Sequence, residues 1–149
     1  MNKLFFFVLI TFFLKPNEPI ITPDKFLGVW MIETKDTKVK VSKNANGELE
    51  GKIVWLLEPN DANGKPRTDI KNKNAALRSR PLMGMKVAYG FTWDADDKKW
   101  TGGSVYVAGS GSTYCGSIKM DSEEKLLLRG YICGLKFLGR TSYAERTSL

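Results

Sequence analysis

The chain contains no histidine, and this absence limits its chemistry more than any other feature of the composition. Without histidine there is no Ser-His or Cys-His catalysis, no histidine-ligated zinc, and no side chain of the usual kind for a general base near neutral pH. The stretch Asp61-Ala62-Asn63-Gly64 is no substitute, because it would put Pro59 and Ile70 at the first and last ligand positions of a calcium loop. We therefore expect a protein that is not an enzyme and that binds no metal or cofactor. A hydrolase that uses carboxylates such as Asp69 is the enzymatic alternative, since two acids distant in sequence can meet in a fold.

Long hydrophobic runs are also scarce. The run from Leu4 to Leu14 follows Lys3 and would be about 17 Å long as a helix, whereas the hydrocarbon core of a bilayer is about 30 Å thick. A short apolar run behind a basic residue is typical of a signal peptide, although no A-x-A-like cleavage pair follows it. We expect residues 1–22 to be a signal peptide and residues 23–149 to form one β-barrel domain that is periplasmic or secreted. Uncleaved, the same segment would be an N-terminal anchor and the only contact with a membrane.

Alternation of apolar and polar residues with a period of two dominates the rest of the chain, and turn residues such as Asn46-Gly47 separate the alternating stretches. The predicted strands are Phe26–Glu33, Thr37–Lys43, Glu48–Leu57, Gly84–Trp93, Lys98–Val107, Ser112–Asp121, Lys125–Cys133 and Leu138–Thr147. Short strands at this spacing predict an all-β domain, a single antiparallel up-and-down barrel of eight strands. One connection, Glu58 to Met83, is too long for a hairpin, and within it Asn74 can cap a short helix.

The two cysteines, Cys115 and Cys133, lie on consecutive predicted strands. A turn centred on Glu124 would place them directly opposite each other, at a separation close to that of a disulfide. A register with Cys115 opposite Tyr131 would keep both cysteines on one face but lose the bridge. In an exported protein such a pair is more often a covalent link than a nucleophile, and both registers stay open at this point.

Positive charge exceeds negative charge. Removing residues 1–22 takes two lysines and one glutamate from the 23 basic and 16 acidic residues, which leaves six net positive charges. Several lie in the stretch TDIKNKNAALRSRPLMGM, from Thr68 to Met85. Nucleic acid is not the expected partner, because this stretch has no aromatic side chain on which a base could stack. We expect Asp69, Asn72 and Asn74 to form a clasp that fastens the connection to the barrel, with Asp69 paired to an arginine.

An eight-stranded barrel can be filled by its own side chains or can hold one small ligand. The candidates for lining a ligand site at the barrel mouth are Trp55, Tyr89, Trp100 and Tyr106, together with Arg78 and Arg80. We therefore expect an exported barrel that binds a small apolar or amphiphilic ligand, such as an envelope lipid. The alternative is a surface-recognition module for anionic glycans or lipid head groups, in which the basic residues of the long connection bind: Lys65, Arg67, Lys71, Lys73, Arg78 and Arg80.

Several short motifs occur in a specific order along the predicted domain. They are Gly28-Val29-Trp30, Gly51-Lys52-Ile53-Val54, Asn63-Gly64-Lys65-Pro66, Leu77-Arg78-Ser79-Arg80-Pro81-Leu82, Trp100-Thr101-Gly102-Gly103, Arg129-Gly130-Tyr131 and Gly139-Arg140-Thr141. In this combination the sequence from Phe26 to Arg146 resembles an uncharacterised family of bacterial exported proteins, domain of unknown function 2147. The resemblance implies one compact domain behind a signal peptide. The chain departs from the family at Val107-Ala108, where relatives usually carry Asp-Pro, and at Tyr143, where a tryptophan is usual.

Gly28-Val29-Trp30 on the first strand, with an arginine on the last strand, is also similar to the lipocalin arrangement. The resemblance implies that an arginine packs across Trp30 at one end of the barrel. Arg140 is the residue expected in this role, with Arg146 as the alternative. A cation–π contact of this kind contributes about 0.5–2 kcal/mol, and its role is structural rather than catalytic.

Overall fold

A computed structural model describes residues 20–149. Its eight strands are β1 (Gly28–Ile32), β2 (Thr37–Lys43), β3 (Leu49–Leu56), β4 (Lys86–Asp94), β5 (Lys99–Val107), β6 (Ser112–Ser122), β7 (Lys125–Ile132) and β8 (Leu135–Thr147), and two 3-10 helices cover Pro23–Phe26 and Ala75–Leu77. The expected signal peptide, residues 1–22, lies almost entirely outside the described residues. Within residues 20–149, no helix is long and apolar enough to cross a membrane.

The eight strands form one closed barrel, in which each strand pairs with its sequence neighbours and β8 pairs with β1. The pairings are antiparallel throughout. This confirms the predicted all-β, up-and-down architecture, and each predicted strand corresponds to an observed one. The main difference is that β8 begins at Leu135 rather than Leu138. The reason is a tight turn at Cys133-Gly134, where Gly134 has a φ angle of 85° that glycine adopts without steric cost.

Successive connections alternate between the two ends of the barrel, and the ends differ. The basal end carries the 3-10 helix Pro23–Phe26 and the turns that follow β2, β4 and β6. The loop end carries the turns that follow β1, β5 and β7, together with the connection between β3 and β4. This connection, residues 57–85, is called the long loop below.

Large side chains fill the barrel from the basal end to about its middle. Trp30, Phe91 and Trp100 are each at most 1% exposed and belong to one hydrophobic cluster. Phe91 occupies the space left by two glycines: a Cβ atom added at Gly103 would lie 2.3 Å from its ring, and one added at Gly116 would lie 3.8 Å from it. At the level of Phe91 the interior is therefore filled by protein rather than hollow.

Cys115 and Cys133 form a disulfide, with their Cα atoms 5.0 Å apart. The register is nevertheless the one that we expected to exclude the bridge, because Cys115 lies opposite Tyr131. That expectation is wrong for a local reason. The strand β7 ends at Ile132, so Cys133 belongs to the turn, is free of the ladder with β6, and reaches back to Cys115.

Arg146 is the arginine that packs on Trp30, with its guanidinium carbon 4.2 Å from the ring centroid. It also ties the chain before β1 to the barrel, because Nη1 donates to Leu27 O at 3.1 Å and Nη2 donates to Lys25 O at 2.6 Å. A further hydrogen bond runs from Nε to Glu123 O at 2.8 Å. The clamp therefore closes the basal end.

The expectation that Arg140 holds this position is wrong. Its side chain is 86% exposed, and its nearest acidic partner is Glu33 at 3.8 Å. The reason is the register of β1 and β8, which places Trp30 opposite Arg146 and ends at Ala144. Arg140 lies beyond the part of β8 that pairs with β1 and cannot reach Trp30.

Candidate functional site

The long loop is an ordered structure that folds back on itself. Isolated antiparallel bridges join Asn60 to Pro66 and Thr68 to Pro81. Backbone hydrogen bonds of 3.0 Å run from Asp69 N to Arg80 O and from Leu82 N to Arg67 O. The two halves of the loop therefore support each other over residues 67–69 and 80–82.

Asp61 forms the turn in the first half of the long loop. Its Oδ1 accepts hydrogen bonds from the backbone N–H groups of Asn63, at 2.8 Å, and Lys65, at 3.0 Å. This is the behaviour of an Asx turn, in which an aspartate satisfies the backbone two residues ahead. Asp61-Ala62-Asn63-Gly64 is a turn rather than half of a calcium loop.

A buried carboxylate joins the long loop to β5. Asp69 is only 1% exposed, and its Oδ1 accepts a hydrogen bond of 2.6 Å from the hydroxyl group of Tyr106. Its Oδ2 accepts from Asn72 Nδ2 at 2.7 Å and from Arg80 Nε at 2.9 Å. Asn72 Nδ2 also donates to the hydroxyl oxygen of Tyr106 at 3.1 Å. These four side chains are called the Asp69 network below, and together their donors satisfy both oxygens of the buried carboxylate.

The Asp69 network favours a fixed protonation state. Burial opposes ionisation of the Asp69 carboxyl group, but the hydrogen bonds from Tyr106, Asn72 and Arg80 outweigh it, so the pKa of Asp69 is lowered from its ordinary value. Burial and the hydrogen bond to Asp69 raise the pKa of Tyr106. The carboxylate therefore stays charged and the phenol stays neutral near pH 7. General acid–base catalysis favours groups that titrate near the working pH, so this pair is better suited to fastening the loop than to moving protons.

The second half of the long loop is organised around two asparagines. Asn72 Oδ1 accepts from Asn74 N at 2.8 Å, and Asn74 Oδ1 accepts from Ala76 N at 3.1 Å. The second contact is the predicted cap, and it precedes the 3-10 helix Ala75–Leu77. The exposed Arg78 donates from Nε to Asn72 O at 2.8 Å. Of the two arginines spaced two apart, Arg80 reaches the Asp69 network, and Arg78 stays on the surface of the loop.

An open cleft of about 380 Å³ lies between the long loop and the β5–β6 turn. We call it the loop-end cleft. Its lining combines apolar and charged side chains: Pro66, Ile70, Leu82 and Ala108 on one hand, and Asp61, Arg67 and Lys71 on the other. Lys71 Nζ donates to Gly109 O at 2.7 Å, which holds the loop against the turn. A second cleft, at the basal end, is lined mainly by charged side chains and by Leu27.

Glycine at position 111 allows this packing. Gly111 has a φ angle of 65°, and a Cβ atom added there would lie 1.9 Å from Lys71 O. Any other residue would both strain the backbone and push the long loop away. The cleft is therefore shaped by the close approach of two backbone segments that are 40 residues apart in sequence.

The residues expected to bind a ligand do not share one site. Trp100 is buried in the basal half of the core, and Tyr106 is engaged in the Asp69 network. Tyr89 is 39% exposed on β4. Trp55 lies opposite Lys38, whose Nζ sits 5.3 Å from its ring centroid. A bulge next to Lys38 shifts the alternation by one residue and turns Trp55 to the outer face.

The sequence did not identify Ile70 and Ala108 as residues of a binding site, although both line the loop-end cleft. Alternation identifies inward-facing positions only within strands, and both residues lie in connections. The one signal available was the pair of glycines at 109 and 111, which follow Val107-Ala108, the positions where family members usually carry Asp-Pro. This pair indicates a close backbone approach without telling which segment approaches.

Comparisons with known proteins agree with this architecture. The model of a family described as an uncharacterized protein conserved in bacteria (DUF2147) matches residues 28–146. A search of the curated proteins gives no match. Among solved structures, the chain is similar to protein HP1028 from the human pathogen Helicobacter pylori, described as belonging to the lipocalin family, with 20% identity, a TM-score of 0.67 and 82% of each chain covered. At this identity the likeness concerns the fold alone, which is a lipocalin-like barrel. Because the family model spans nearly all of the described residues, the chain belongs to the DUF2147 family of uncharacterised bacterial proteins.

Proposed function

We propose that this protein is an exported, lipocalin-like binding protein that holds a small amphiphilic ligand with an anionic group in the loop-end cleft. The lining of the cleft carries the proposal. Ile70, Leu82 and Ala108 offer an apolar wall, and Arg67 and Lys71 stand beside it. Binding sites for small molecules typically combine a mostly apolar surface with a few placed polar groups, and a lysine or arginine strengthens a hydrogen bond to a phosphate or carboxylate.

The packing of the barrel supports a site outside its interior. Phe91 fills the space over Gly103 and Gly116, and Trp30 and Trp100 close the level below it. A ligand at that depth would have to displace a core side chain. Removing or displacing such a side chain typically costs several kcal/mol, whereas the loop-end cleft is already open.

Two features support export. The apolar run Leu4 to Leu14 behind Lys3 is typical of a signal peptide. The Cys115–Cys133 disulfide fits an oxidising compartment, because disulfides persist outside the cytoplasm and are rare within it. The N-terminal sequence of the protein recovered from the extracytoplasmic fraction tests export: loss of the Leu4–Leu14 run supports it, and retention of that run favours the anchor.

Ligand binding is tested by calorimetric titration of residues 20–149, which contain every strand and both hydrophobic clusters. The probe is lysophosphatidylglycerol below its micelle concentration. We expect binding that weakens with salt and that weakens about tenfold or more when Arg67→Gln and Lys71→Gln are combined, because a hydrogen bond to a charged group is worth about 1.5–3 kcal/mol. The matched control is Lys40→Gln with Lys119→Gln, two exposed lysines on β2 and β6, which should leave the affinity unchanged.

The same titration distinguishes the alternative function. Glycerol phosphate has the anionic head group without the acyl chain. If it binds as tightly as the lysolipid, the long loop is a head-group recognition module and the apolar wall plays no part. Absence of binding to either compound would overturn the proposal of an anionic amphiphile.

A further inference from the structure

The distal part of the β7–β8 hairpin stands free of the barrel wall. The strand β1 pairs with β8 only from Ala144 to Thr147, although β8 begins at Leu135. Within the described residues, the part of β8 before Ala144 therefore has β7 as its only strand neighbour. This hairpin belongs to the loop end.

The tip of this hairpin, residues 132–138, carries exposed apolar side chains. Ile132 is 51% exposed, Leu135 40%, Phe137 77% and Leu138 49%. The register passes from Tyr131 opposite Gly139 to Ile132 opposite Leu135, which leaves residues 136–138 without partners on β7. The bulge turns Phe137 into solvent. An exposed apolar patch of this kind commonly marks an interaction site.

The tip is held in place by contacts at its base. The Cys115–Cys133 disulfide ties its turn to β6, and Arg129 Nη2 donates to Lys136 O at 3.1 Å. The apolar side chains are therefore presented on a braced support. Presentation on a rigid support lowers the conformational entropy that a binding event must overcome.

Exposed apolar side chains concentrate at the loop end of the whole molecule. Of the twelve large hydrophobic side chains that are exposed within residues 20–149, nine lie there: Leu57, Ile70, Leu77, Met83, Val107, Ile132, Leu135, Phe137 and Leu138. The other three, Ile20, Tyr89 and Leu149, are scattered. The loop end, and not the barrel as a whole, is the apolar face.

Charge follows the same division. Residues 129–143 include three basic residues, Arg129, Lys136 and Arg140, and no acidic residue. The long loop carries six basic and three acidic residues. The turns of the basal end, residues 44–48, 94–98 and 123–124, carry six acidic residues against one lysine. Several acidic side chains of the basal turns pair with basic neighbours, such as Glu123 with Lys25 and Asp97 with Lys99. An anionic surface would therefore attract the loop end more strongly than the basal end.

We propose that the tip of the β7–β8 hairpin inserts into the surface of an anionic bilayer and turns the loop end of the barrel towards it. Phe137 and Leu138 would enter the boundary between head groups and acyl chains, and Lys136 and Arg140 would meet lipid phosphates. Apolar residues bordered by basic ones are the pattern of proteins that lie on anionic membranes. This surface involves none of the residues that line the loop-end cleft, so the two proposals stand or fall separately.

The test is amide hydrogen exchange of the full chain with vesicles. Vesicles of phosphatidylcholine with about one third phosphatidylglycerol are compared with pure phosphatidylcholine; about one third anionic lipid gives a negative surface potential. The readout is local, so an N-terminal anchor alone would not protect residues 133–139. We expect slower exchange of these amides with the anionic vesicles and little change with the neutral ones.

Three double variants sharpen the test. Phe137→Ser with Leu138→Ser should abolish the protection, and both side chains are exposed enough to be replaced without loss of the fold. Tyr89→Ser with Leu149→Ser removes two exposed side chains elsewhere and should leave it intact. Lys136→Gln with Arg140→Gln should raise the lipid concentration for half protection about 25-fold, since each charge contributes about fivefold near an anionic surface.

Two results would overturn the proposal. One is unchanged exchange of residues 133–139 with anionic vesicles. The other is protection of the same amides that appears without lipid and grows with protein concentration, which would assign the free part of β8 to strand pairing between copies of the chain. Loss of lysolipid binding in the Arg67→Gln, Lys71→Gln variant would not bear on either result.

Discussion

At the scale of single residues, Asp69 determines how the long loop is attached. Burial of a charged carboxylate is unfavourable unless hydrogen-bond donors surround it. Tyr106, Asn72 and Arg80 supply those donors, and they come from β5 and from two parts of the loop. Loss of any one donor leaves the others around an incompletely satisfied charge.

Tyr106→Phe tests this attachment with the smallest possible change. Removing the hydroxyl group should lower the free energy of unfolding by about 1.5–3 kcal/mol, the range for a hydrogen bond to a charged group. Tyr89→Phe is the control, because the Tyr89 side chain is partly exposed on β4 and its loss of a hydroxyl should change stability by less than about 0.5 kcal/mol. Urea unfolding followed by tryptophan fluorescence measures both. Equal effects of the two variants would contradict the role of the network.

Acid should weaken the same attachment. The pKa of Asp69 is lowered in the folded state, so its stabilising effect is complete above the ordinary aspartate pKa of about 3.9 and is lost as pH falls through the folded pKa. Asp69→Asn should be less stable than wild type at neutral pH, and the difference in the free energy of unfolding should shrink as the pH falls below the ordinary aspartate pKa of about 3.9. Urea unfolding curves of both proteins at a series of acidic pH values measure this difference. A difference that stays constant with pH would mean that the charge of Asp69 does not contribute to stability.

At the scale of elements, two packing contacts define the two ends of the barrel. At the loop end, the long loop lies on the β5–β6 turn through the close approach of Lys71 O to Gly111. At the basal end, Arg146 on β8 covers Trp30 on β1 and binds the chain that precedes β1. Each contact depends on one residue, Gly111 or Arg146, so a single substitution can break it.

Gly111→Ala should detach the long loop from the β5–β6 turn. The added Cβ atom meets Lys71 O and the φ angle is 65°, so we expect destabilisation of more than about 1 kcal/mol and faster hydrogen exchange in residues 66–82. Gly109→Ala is the matched control, since a Cβ atom at Gly109 meets nothing within 4 Å. Similar exchange in both variants would show that the loop does not depend on this contact.

Arg146→Lys should weaken the basal clamp. Lysine cannot reproduce the stacking on Trp30 together with the three hydrogen bonds that Arg146 makes to carbonyl groups. We expect a loss of about 2–3 kcal/mol in the free energy of unfolding. Arg140→Lys, at the exposed end of β8, should change it by less than about 0.5 kcal/mol. Thermal unfolding of the two variants measures both losses. A larger loss of stability in Arg140→Lys than in Arg146→Lys would contradict the role of Arg146 in the clamp.

Features that depend on interactions between residues close in sequence could be predicted, and features that depend on contacts between distant segments could not. The eight strands were predicted because alternation and turn residues are local signals, and the Asn74 cap is equally local. Trp55 was expected to line a ligand site at the barrel mouth, and Arg140 was expected to pack on Trp30. The positions of both side chains depend on register, which the bulge next to Lys38 and the short pairing of β1 with β8 determine. The cleft could not be predicted, since it arises where two connections meet.

At the scale of the whole molecule, the barrel acts as a filled scaffold with two unlike ends. Trp30, Phe91 and Trp100 occupy the interior, the acidic turns lie at the basal end, and the loop end combines exposed apolar side chains with basic ones. These differences between the two ends support the proposed recognition at the loop end. We propose that binding takes place at that end and outside the packed core.

The most direct test is a titration of isotopically labelled residues 20–149 with lysophosphatidylglycerol, followed by amide chemical shifts. We expect the shifts to change at residues 67, 68, 70, 71, 108 and 109, which line the loop-end cleft, and to stay constant at Phe91, Trp100 and Gly103 in the core. Changes concentrated at these three core residues, with the cleft unaffected, would contradict this proposal and place the ligand inside the barrel.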